Sequence, residues 1–87
     1  MHHTNQEISK KLREHATKLA RHGDNLYRVR AFRQAAMVVL ALPQELTDLV
    51  ELGGVRALER VPGVGKGLAA TITDYLKTLN STGFNAA

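Results

Sequence analysis

Val61-Pro62-Gly63-Val64-Gly65-Lys66-Gly67-Leu68-Ala69-Ala70 is the stretch on which the reading of this 87-residue chain turns. Pro62 fixes φ and stops a helix, Gly63 and Gly65 are free to take positive φ, and Val64 is an apolar peg between them. Both flanks carry apolar residues at helical spacing: Val55, Ala57 and Leu58 before the turn, and Leu68, Ala69, Ile72, Tyr75, Leu76 and Leu79 after it. The first N–H groups of the second helix, around Gly65 to Leu68, then lack intrahelical acceptors. They lie at the positive end of that helix with the Lys66 ammonium beside them, a site suited to a phosphate. An anion at such an exposed end gains about 0.3–1 kcal/mol from the helix dipole. Gly67 and the small pair Ala69-Ala70 keep the surface low, so a sugar-phosphate strand can lie close.

The same reading extends upstream. Thr4 and Glu7 have capping-box spacing, and Ile8, Leu12, Ala16 and Leu19 make an apolar stripe that His22-Gly23 closes. A second helix starts at Asp24 or Asn25 and turns Leu26, Val29, Phe32, Ala36, Val39 and Leu40 inward until Pro43. Its segment from Ala35 to Leu42 is almost wholly apolar, which predicts a central helix covered from several sides. A third helix over Gln44 to Leu52 buries Leu46, Leu49 and Val50 and ends at Gly53-Gly54. A short fourth covers Val55 to Arg60, and a fifth runs from Lys66 to about Leu79. The expected architecture is all-α: one domain over residues 1–87, a bundle of about five short helices, with an ordered core over residues 5–79 and a tail over 80–87. The fourth helix, turn and fifth helix form a helix-hairpin-helix pattern.

Composition bounds the partner. The chain has no cysteine, so neither a disulfide nor a thiolate metal site is available, which fits a reducing cytoplasm. The longest apolar run, Ala35 to Pro43, is too short for a bilayer, and no membrane role is expected. The net charge of +4 is unevenly placed. Residues 1–42 carry eight Lys/Arg against three acids, and residues 43–87 carry four against five. A small basic chain with one cationic side suits an anionic polymer.

Two separated segments, in order, resemble one family. Leu58-Glu59-Arg60-Val61-Pro62-Gly63-Val64-Gly65-Lys66-Gly67-Leu68-Ala69 is similar to the helix-hairpin-helix of the N-terminal domain of family X DNA polymerases, the group of DNA polymerase beta. Tyr27-Arg28-Val29-Arg30-Ala31-Phe32-Arg33-Gln34-Ala35-Ala36 resembles the second helix of that domain, especially in bacterial members. The likeness runs from about Asn5 to Leu79. It implies a compact helical domain on duplex, nicked or gapped DNA, in repair or replication, in the cytoplasm and on the nucleoid. It also implies a K⁺ or Na⁺ ion held by the main-chain carbonyls of Glu59, Val61 and Val64, and a phosphate-pocket position for Arg28. The lysine that forms a Schiff base in lyase members is matched by Thr71, and a basic helper position by Gly67, so no enzyme activity and no other cofactor are expected. No polymerase palm follows, which makes the chain a free-standing module or a fragment.

The expected DNA contacts are Gly63, Val64, Gly65, Lys66, Gly67 and Leu68 at the hairpin, with Arg28 and Arg30 as a second backbone contact. Contacts to backbone rather than bases make binding nearly sequence-independent. The remaining constellations read as structural. His15 and His22 are about 10 Å apart along one helix, too far to share a metal without other ligands. Glu45, Asp48 and Glu51 form the solvated side of the third helix, the first two near its N-terminal turn. Arg33 reads as an ion-pair partner and Tyr75 as a half-buried core residue. Two rival readings are a lyase using Lys66 or Lys77 and a helical protein-interaction module.

Overall fold

A computed structural model describes the backbone of residues 3–86 and the side chains of residues 3–79. Four helices follow in order: α1 (His3–Arg21), α2 (Leu26–Ala41), α3 (Leu46–Glu59) and α4 (Lys66–Ala86). The expected count of five is corrected to four. The expected third and fourth helices follow one another without a separate connection and make up α3, but helical geometry is broken between them at Gly54, which takes φ 65° and ψ −161°. Only glycine reaches that backbone region at low cost, so the expected break at Gly53-Gly54 is a sharp kink inside one element. α4 also runs on past Leu79 to Ala86, over the expected tail, while Ala87 lies outside the described residues.

α1 and α2 form a tight antiparallel pair, closed by the turn at Gly23. His22 N–H donates to the Lys18 carbonyl, Gly23 N–H to Ala20 and Asp24 N–H to Leu19, with Gly23 at φ 69°. These are the bonds of a Schellman ending, which the sequence placed at this glycine. Asn25 caps α2 by accepting the Tyr27 N–H at 2.7 Å. At the other end of the pair the capping box at Thr4 is corrected, because α1 already begins at His3 and Thr4 lies within its first turn.

The core joins all four helices through Ile8, Leu12, Ala16, Val29, Phe32, Val39, Leu46, Leu58, Ile72 and Leu76. Three expected core positions are corrected: Leu26 is 68% exposed, Leu40 51% and Val55 37%. Met37 on α2 is also exposed, so α2 is sheltered on one flank rather than surrounded. An 87-residue chain has too few helices to enclose one on every side. Two polar side chains take core positions instead. Asn5 donates to the Gln44 carbonyl at 2.7 Å and accepts the Leu46 N–H at 2.8 Å, pinning the start of α3 to α1. Ser9 donates to the Ala36 carbonyl at 2.8 Å. No helix among the described residues is long and apolar enough to cross a membrane.

Candidate nucleic-acid interface

The hairpin is held by short local bonds. Arg60 N–H reaches the Arg56 carbonyl, Val61 N–H reaches Leu58 at 3.1 Å, and Val64 N–H reaches Val61 at 2.9 Å. Val64 is 4% exposed and plugs the core between α3 and α4, as its place in the turn predicts. Gly63 has φ 90° and presses on α2; a Cβ built there would stand 3.0 Å from Val38 Cγ2. Gly65 does not use its freedom to take positive φ; among the described glycines only Gly23, Gly54 and Gly63 do so. Gly65 serves through empty space. A Cβ at Gly65 or at Gly67 would meet nothing within 4 Å.

Gly65 is the N-cap of α4, and its carbonyl accepts the Ala69 N–H at 2.8 Å. The four preceding amides, from Gly65 through Leu68, take no part in any backbone or side-chain hydrogen bond among the described residues. Gly65, Lys66 and Gly67 are exposed, and Leu68 is half-buried with its side chain against the core. Lys66 makes no ion pair among the described residues. The result is an open cradle of donors at the positive end of a 21-residue helix, with an ammonium on its rim.

The structure separates the two arginines assigned to the second contact. Arg28 Nη1 lies 3.5 Å from the carboxylate of Asp24, which precedes the N-cap of α2. Arg30 is exposed and lines a hollow of about 260 Å³ with Tyr27, Ala31 and Gln34. Gln34 is also the neighbour of Gly63, so this hollow opens beside the hairpin. Helical geometry puts Arg28 about 120° round α2 from Gln34, away from the turn. Sequence reasoning did not assign Tyr27 and Gln34, although their spacing with Arg30 on one helical face was there to be read. Tyr27 is 82% exposed, an aromatic ring on the rim of that hollow.

Thr71 donates its hydroxyl to the Gly67 carbonyl at 3.1 Å, back onto its own helix. His15 is half-buried, its ring 4.6 Å from that of Phe32. No group of three His, Cys, Asp or Glu able to hold a metal occurs among the described residues. Arg33 is exposed and makes no ion pair among them, which corrects its expected pairing. Tyr75 is half-buried, and burial raises its hydroxyl above the ordinary tyrosine pKa of 10.0.

A helix-hairpin-helix domain family matches residues 3–80. The chain belongs to that family. The match covers the whole four-helix unit rather than the hairpin alone, and domains of this family generally bind DNA. No curated protein and no solved structure matches the chain. The likeness to family X polymerases therefore rests on the two sequence segments themselves.

Proposed function

We propose that this helix-hairpin-helix domain binds DNA without reading its sequence, by holding the phosphodiester backbone in the Gly65–Leu68 cradle. The observation that carries the reading is four successive amides left unbonded within the protein at the exposed N-terminus of α4. Phosphate oxygens satisfy those donors, and Lys66 adds a point charge. Arg30 supplies the second backbone contact, from the face of α2 that meets the hairpin. Nicked or gapped DNA in repair or replication is the substrate suggested by the resemblance to family X domains. Carbonyls left open at the turn support the reading that a monovalent cation binds there. The Val61 carbonyl accepts one bond, from Val64, and those of Glu59 and Val64 accept none outside the helices, so lone pairs remain for a K⁺ or Na⁺ ion. The main-chain carbonyls of Glu59, Val61 and Val64 would hold such an ion, and its positive charge would add to the attraction for a phosphate. The domain acts by binding rather than catalysis, since the Thr71 hydroxyl forms no imine.

Titration with intact, nicked and gapped duplex at two salt concentrations tests this. Binding is expected to be insensitive to sequence and to weaken steeply with salt. Gly65→Val, whose Cβ would meet no protein atom within 4 Å, should weaken binding more than Lys66→Ala because it blocks backbone approach. If both variants bind like the parent, the cradle is not the site. A second reading, a protein-interaction module, is favoured by the exposed Met37, Leu40 and Leu52, the last 88% exposed. Failure to bind DNA at low salt would select it.

A further inference from the structure

A second cationic feature lies away from the cradle, where α1 crosses α4. Lys11, Glu14, His15, Lys18 and Tyr75 line a hollow of about 240 Å³. A neighbouring hollow of about 330 Å³ shares Glu14 and Lys18 and adds Thr17 and Arg21. Three permanent cations, Lys11, Lys18 and Arg21, thus face one carboxylate along a single strip of α1. None of the four forms an ion pair among the described residues. The strip is built rather than merely charged. The Lys11 ammonium is held 5.9 Å from the Tyr75 ring centroid, and His15 is fixed against Phe32. Tyr75 keeps its proton well into the alkaline range because burial raises its pKa, so its hydroxyl is available as a donor.

The strip is also in line with the cradle. Gly67, Thr71 and Tyr75 follow one another a turn apart on α4, leading from the free amides to the hollow. From Lys66 to Tyr75 the helix rises about 13 Å, the rise of about four nucleotides of one strand. Resting on the DNA-binding reading above, we propose that the α1–α4 hollow is a second phosphate subsite, which holds a further stretch of nucleic-acid backbone with Lys11 and Lys18. The DNA then crosses the face of α4 instead of touching only its tip.

The test is the salt dependence of duplex binding, measured for Lys18→Gln, for Lys11→Gln/Lys18→Gln and for Glu14→Gln. Removing one lysine–phosphate pair should make the slope of log K against log salt shallower by about 0.9, so by about 1.8 for the double variant. Glu14→Gln should tighten binding several-fold. Lys77→Gln removes the same charge about 200° round α4 from Tyr75 and should leave the slope unchanged. Lys18 is exposed, so its replacement tests the subsite without touching the core. The subsite is overturned if the double variant keeps the parent's slope while Gly65→Val weakens binding, an outcome that leaves the cradle standing. It is also overturned if Lys77→Gln lowers the slope as much as Lys18→Gln. A parent chain that binds no DNA at low salt overturns subsite and cradle together.

Discussion

Gly63 and Gly65 stand two residues apart and do different work. At Gly63 the backbone has φ 90°, and a methyl group would stand 3.0 Å from Val38 Cγ2, which would have to give way. An L-residue in the left-handed region costs about 1–2 kcal/mol. Gly63→Ala should therefore lower the melting temperature, by roughly 4–8 °C per kcal/mol in a domain of this size. Gly65→Ala should melt within about 0.5 kcal/mol of the parent, because the added methyl meets no protein atom. Thermal unfolding followed by circular dichroism checks the pair, and equal losses in the two variants would contradict the division. The burial of Val64 and the exposure of Lys66 were legible in the sequence because turn chemistry is local: a peg, an ammonium and a run of small residues answer to their own neighbours. Asn5 and Ser9 were not legible. They sit on the expected apolar side of α1, and their partners at Gln44, Leu46 and Ala36 are 27 to 41 residues away. No pattern within one helix announces such a partner.

For whole helices, periodicity placed α1, α2 and the start of α4 well, and punctuation placed α3 less well. The glycine pair does break helical geometry, but the chain turns within Gly54 alone and resumes helix at once to Glu59, so the two segments share one element. Hydrophobic run length misled in a similar way at α2, where Met37 and Leu40 face outward although their neighbours are core. Composition alone does not say how many sides of a helix have neighbours. The basic residues of α2 carry a prediction at this level. Arg30 shares a hollow with the residue that flanks Gly63, whereas Arg28 lies on another face beside Asp24. Arg30→Gln should weaken DNA binding and reduce its salt slope by about 0.9, and Arg28→Gln should change the slope by clearly less. Equal effects in a fluorescence-anisotropy titration would show that the face of α2 does not matter.

Taken as a whole, the molecule divides its charge between its two sequence halves. The excess of basic residues lies in residues 1–42, while the acids Glu45, Asp48 and Glu51 belong to α3 and its approach. DNA should therefore perturb amide resonances of Gly63 to Leu68, of Arg30 to Gln34 and of the strip from Lys11 to Arg21, while those from Glu45 to Leu52 stay in place. A heteronuclear chemical-shift titration reads this directly, and a largest response on α3 would reverse the assigned orientation. The seating of Gly63 on Val38 has one more effect. It ties the amide cradle to the helix that bears Arg30, so the two proposed grips would stand like the jaws of a caliper set to one opening. A caliper of fixed gauge does not reshape itself around what it measures; the flexing falls to the nucleic acid. On the proposed binding mode, strands that bend at little energetic expense, such as those interrupted by a break, should settle into it more readily than a stiff continuous duplex, a selectivity that needs no contact to any base.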